Sequence, residues 1–226
     1  MNHNIKTLLK TAGLFFLIIG FFVLFEVDVN FSYFQESGGQ NQEVSQSESE
    51  PTSSEISLDI LPTGTPDVYG AELGLEYDNV SMNDPVGADR AIEEMAMLDV
   101  EIDLEGDNLE RYINILYEKE GGISCEYCCG ARSIIFEDGE MACGCAHSFA
   151  MRGIAKYLIT EHGEDLSDEE ILEEVGKWKV LFFPGIHQQK ADALEEEGLS
   201  TDYVTLTTNT YRGIEEGSQG GMVGGC

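Results

Sequence analysis

Hydrophobic and polar positions divide the chain into blocks of different period. The first block is an unbroken apolar run from Ala12 to Phe25, preceded by Lys6 and Lys10 and followed by Glu26. With Leu8 and Leu9 included, and Lys10 snorkelling, it reaches about the 18 residues that a membrane-spanning helix needs. No small-x-small cleavage pattern follows, so residues 12–29 read as an uncleaved transmembrane signal anchor. Lysines precede the span and acids follow it, which predicts a cytoplasmic tip over 1–11 and an extracytoplasmic remainder. Residues 30–57 are rich in Ser, Gln, Glu and Gly. Such a stretch cannot bury enough surface to order itself and predicts a disordered stalk.

Helical periodicity dominates the next block, a domain expected over 58–208. Residues 58–83 carry loop signals, and Asn83-Asp84-Pro85 then opens a helix with Ala91, Ile92, Met95 and Leu98 on one face. Asp107-x-x-Glu110 reads as a capping box before Tyr112, Ile113, Leu116 and Tyr117, with Gly121-Gly122 as the stop. His147 to His162 is the clearest helix, with Met151, Ile154, Ala155, Leu158 and Ile159 on a wide apolar face. Ser167-Asp-Glu-Glu170 is a second capping box, ahead of Ile171, Leu172, Val175 and Trp178. The apolar run Val180–Phe183 ends at Pro184, and a short helix is expected over Gln188–Glu197. Tyr203–Thr208 favours extended structure by composition. Residues 209–226 form a Gly-rich tail, expected to be flexible, that ends in Cys226.

One segment breaks the helical pattern. Arg132–Phe136 and Met141–Cys143 flank Glu137-Asp138-Gly139-Glu140, and Asp-Gly between apolar runs predicts a β-hairpin. The expected fold class is therefore α+β, mainly α: a small helical domain with a Cys-bearing β-hairpin, preceded by one N-terminal transmembrane helix.

Charge narrows the range of partners. The net charge is −31, and all 43 acidic residues lie beyond Phe25. That field repels nucleic-acid phosphate and anionic headgroups, so no nucleic-acid partner is expected. It attracts cations, including metals and a basic protein partner. Solubility accounts for most of it without any steering role. The membrane is contacted through residues 12–29.

The chemistry concentrates between Cys125 and His147, where the spacing is C-x2-C-C-x13-C-x-C-x-H. Closing the hairpin brings the two cysteine knuckles together. Cys143, Cys145 and His147 alternate, and the helix beginning there favours negative charge on nearby sulfur. Three chemistries fit. The first is a site for one zinc or copper ion, as Cu(I), on Cys125, Cys128, Cys143, Cys145 and His147, with Cys129 a further candidate. The second is thiol–disulfide exchange with Cys125 and Cys128 as the catalytic pair. The third is a set of structural disulfides in an acidic interaction module. Cys226 could reach the cluster on its tether. There is no P-loop, no G-x-G-x-x-G, no G-x-S-x-G and no H-E-x-x-H. If the protein is an enzyme, thiol chemistry is what its residues offer.

Cys143-Gly-Cys145-Ala-His147 and the helix after it resemble the PCYCGC-motif (lipo)proteins, over about residues 125–180. The resemblance implies a small extracytoplasmic protein with a metal-related Cys-rich motif. The order C-x2-C, helix, Leu166-Ser-Asp-Glu-Glu-Ile171 and Leu181-Phe-Phe-Pro184 also resembles the helical domain of CcmH-type thioreductases. There the redox pair would fall on Cys125 and Cys128.

Overall fold

The computed structural model describes residues 59–81, 83–125, 130–215 and 223. The expected anchor and stalk, Cys128, Cys129, Cys226 and most of the Gly-rich tail lie outside the described residues. Among the described residues no helix is long and apolar enough to cross a membrane.

The elements are helical throughout: α1 (Gly70–Leu73), α2 (Pro85–Glu101), α3 (Gly106–Ile113), α4 (Ala146–Glu161), α5 (Asp168–Phe182), α6 (Pro184–Glu196) and α7 (Tyr203–Thr207). Their starts follow from local chemistry. Asp84 caps α2 by accepting from the Gly87 N–H, with Pro85 in the first turn. Ser167 and Glu170 form the reciprocal capping box of α5. Pro184 opens α6 instead of merely ending α5, so α6 begins earlier than Gln188. The expected Asp107 box is not used. Glu105 is the N-cap of α3, without a side-chain hydrogen bond, and Asp107 lies in the first turn.

Helix α4 is the centre of the core. Ala150, Met151, Ile154, Ala155 and Leu158 are all fully buried. It packs chiefly against α2 and also against α5. The α2 contact requires a glycine, because a methyl on Gly153 would stand 1.8 Å from the Met95 carbonyl oxygen. The segment before α2 is pinned to α5 by polar contacts. The hydroxyls of Tyr69 and Tyr77 donate to Glu174 Oε2 at 2.9 and 2.6 Å, and Trp178 Nε1 donates to the Tyr69 hydroxyl at 2.7 Å. Burial, with the Glu174 carboxylate alongside, raises both phenols above their usual range.

Two expectations are corrected. The domain is helical, not α+β, because no strand forms among the described residues. The Asp138-Gly139 turn is present: Phe136 N donates to Glu140 O, and Gly139 takes a φ of 86°. Pairing stops at one isolated bridge, Ile135 to Met141. The flanking backbone is bound elsewhere. Ile134 N donates to Ile123 O, and Arg152 from α4 takes the Cys143 carbonyl. A two-stranded ribbon this short is marginal unless other strands extend it. Tyr203–Thr207 is also a helix, not an extended segment. Asp202 caps it through Thr205 N, and the Thr207 and Thr208 hydroxyls bond back to the carbonyls of Tyr203 and Val204. Back-bonding of this kind lets β-branched threonines sit in a helical turn.

Candidate metal centre

Three turns deliver the sulfurs. Helix α3 runs into a π-helical turn, Asn114–Glu118, and the chain then reverses at Gly121 and Gly122, both with positive φ. At Gly122 a side chain would meet the Tyr117 carbonyl at 2.9 Å. The reversal sends Ile123 and Ser124 inward and places Cys125 in the core. The Asp138-Gly139 turn returns the chain to Cys143, which is also buried. Two residues on, Cys145 is the N-cap of α4 and is half-buried.

The three sulfurs converge. Cys125 Sγ lies 3.1 Å from Cys145 Sγ, and Cys143 Sγ lies 3.7 Å from it. All three fall within 4.8 Å of one another, and this group could hold a metal ion. Neither Cys125 nor Cys145 is in a disulfide. Cys143 is disulfide-bonded. A disulfide sulfur is not a thiolate ligand, so the three-sulfur set is complete only when Cys143 is reduced.

Cys145 occupies the most polar position of the three. Its sulfur accepts from Ser148 N at 3.4 Å and lies 3.4 Å from Ser148 Oγ. The Cys125 thiol, then His147 and Ser148, stabilise its anion and outweigh burial, holding its pKa far below the usual thiol range. The folded value lies below the unfolded one. The thiolate therefore adds stability at pH above the usual thiol range, and this is lost as pH falls through the folded value. In the reduced, metal-free protein, iodoacetamide should alkylate Cys145 at pH 6 nearly as fast as at pH 8. An ordinary thiol slows roughly 100-fold over that interval. Peptide mass spectrometry of timed samples checks this, and the ordinary slowing would contradict it.

His147 stands beside the sulfurs and is not one of the converging groups. Its buried ring packs at a tilt against Phe182 and Phe183, with centroids 4.9 and 5.0 Å away. It hydrogen-bonds Cys145, and Nε2 donates to the Val223 carbonyl at 2.7 Å. Nε2 carries a proton in that bond, since a carbonyl only accepts. Val223 N in turn donates to Phe182 O, so this tail residue is fixed against the site.

Sequence reasoning passed over Arg152. It is 1% exposed, on the core side of α4. Its Nε and Nη2 donate to Asp99 Oδ2 at 2.9 and 2.7 Å, and Nη1 donates to the Cys143 carbonyl at 2.8 Å. Lys156 binds the other Asp99 oxygen at 2.9 Å. The guanidinium thus ties α2, α4 and the cysteine turn together and fixes the backbone that carries Cys143. The available signal was an arginine set among Ala150, Met151, Ile154 and Ala155, since a buried charge must find partners. The chain matches no protein-family model, and neither the curated proteins nor the solved structures contain a significant match to it.

Proposed function

We propose that this is a membrane-anchored extracytoplasmic protein that binds one soft metal ion, zinc or Cu(I), through Cys125, Cys143 and Cys145. The convergence of three sulfurs within 4.8 Å carries the reading. Thiolates select soft or borderline ions over hard ones. A tetrahedral zinc with sulfurs at ~2.3 Å needs them about 3.8 Å apart. The Cys143–Cys145 separation of 3.7 Å already meets this, and the Cys125–Cys145 pair at 3.1 Å would open slightly. Cys128 or Cys129 would supply a fourth sulfur. His147 would act from outside the ligand set, orienting Cys145. The anchor and the extracytoplasmic location rest on the apolar run and the charge asymmetry around it.

The test is a Co²⁺ titration of the full chain in detergent, after complete reduction. Sulfur-to-cobalt absorption should rise to a sharp end point at one ion per chain and be displaced by zinc. Absence of that absorption with every cysteine reduced would reject the reading.

A second reading, thiol–disulfide exchange, is favoured by one observation: a disulfide at Cys143 beside the sulfurs of Cys125 and Cys145, which are in no disulfide and lie 3.1 Å apart. In it the half-exposed helix-capping Cys145 would attack a partner disulfide and the buried Cys125 would resolve the mixed disulfide. Trapping of a partner by the Cys125→Ser variant, in protein that takes up no cobalt, would select this reading over the first.

A further inference from the structure

A cavity of about 310 Å³ lies behind the cysteine turn, where the end of α2, helix α3, the Asp138-Gly139 turn and α4 meet. That is the small end of the range for ligand pockets. Its wall holds four carboxylates, those of Asp99, Asp103, Asp138 and Glu140, against two cations, Arg152 and Lys156. Asp99 is consumed by those two cations. Asp103, Asp138 and Glu140 make no ion pair with any described cation and are exposed to the opening.

A second observation comes from a different residue. Tyr112, also part of the wall, is 1% exposed, and its hydroxyl has no hydrogen-bond partner. The charges acting on that hydroxyl are those of Asp99 and Arg152, both in the cavity wall. Buried hydroxyls are normally satisfied, so a missing partner points to a group that enters from the cavity. The spread of the carboxylates decides what kind of group. Among the described residues only the cysteines bring ligand atoms together. The acids share the wall with Leu104, Leu109 and Met141 and do not gather their oxygens at one point. This arrangement suits charge carried at the ends of a methylene stem and does not suit a chelated ion.

We propose that this cavity binds a linear aliphatic amine. Its ammonium ends lie among Asp103, Asp138 and Glu140, its stem lies on Leu104, Leu109 and Met141, and an N–H is donated to the Tyr112 hydroxyl. The same chemistry is offered by a free diamine or polyamine and by a lysine side chain of a partner protein. The site uses none of the three sulfurs and stands whether or not a metal binds.

Calorimetric titration of the metal-free full chain in detergent, at low salt, with cadaverine and separately with Nα-acetyl-lysine methylamide, tests it. Saturable binding of cadaverine alone identifies a free amine as the ligand, and binding of the lysine derivative identifies a protein side chain. The double variant Asp138→Asn/Glu140→Gln should bind at least about tenfold more weakly. Tyr112→Phe should bind about fivefold more weakly while its melting temperature stays equal or rises, because the hydroxyl has no partner to lose in the free protein. Saturation by neither probe overturns the proposal. So does undiminished binding by the double variant, or a lowered melting temperature for Tyr112→Phe.

Discussion

Replacing Arg152 with methionine is expected to destabilise the fold by about 3–5 kcal/mol, the usual cost of removing one partner from a buried ion pair. The guanidinium is buried, and its Asp99 partner is nearly so, with side-chain exposures of 2% and 7%. Without it Asp99 retains only Lys156, and the Cys143 carbonyl loses its donor. Urea unfolding of the variant beside the parent chain measures the loss. A double replacement, Arg152→Met with Asp99→Leu, should recover much of it, because a buried ion pair exchanged for apolar groups of similar size is often near neutral. Recovery of stability without recovery of metal affinity would separate the fold-holding part of this arginine from its positioning of Cys143. An effect of the single variant below about 1 kcal/mol would show that the pair is solvated.

The largest functional effect is expected at Cys145. Its replacement by serine should weaken metal binding by about two orders of magnitude. Structural zinc contributes roughly 10–16 kcal/mol over four ligands, so one lost sulfur removes on the order of 3 kcal/mol. Serine is among the preferred capping residues, so the metal-free variant should keep the α4 cap and lose only the stability that the Cys145 thiolate adds. The expected pair of results is a melting temperature without metal that is lowered by the thiolate's share alone, and the loss of metal-induced stabilisation. Alanine at the same position removes both functions and should lower the melting temperature as well. If Cys145→Ser bound cobalt as tightly as the parent, Cys145 would not be a ligand.

The sequence made helix starts readable wherever one residue and its near neighbours decide them. Asp84-Pro85, the Ser167–Glu170 box and the extent of α4 are of that kind. The failures have a common physical origin, competition from elsewhere in the fold. The Asp138-Gly139 turn formed, but its flanks were drawn off by Ile123 and Arg152 before strands could extend. Tyr203–Thr207 carries residues that favour strands, yet an Asp202 cap and hydroxyl back-bonding made it a helix. In the site, the Gly121-Gly122 stop, the Asp138-Gly139 turn and the C-x-C spacing were all legible, and together they bring Cys125, Cys143 and Cys145 within 4.8 Å of one another. The Arg152–Asp99 pair was not readable, because its partners are 53 residues apart on different helices. Tyr112 was read as part of an apolar face. Its unpartnered hydroxyl shows only once α3 is set against the cavity.

The central claim is that Cys125, Cys143 and Cys145, when reduced, hold one ion between them. Native mass spectrometry of the full chain in detergent, reduced and supplied with equimolar zinc, tests it most directly. The account predicts a single species with one zinc per chain, bound with loss of thiol protons and released on oxidation. Metal-free protein with all of its cysteines reduced would contradict it.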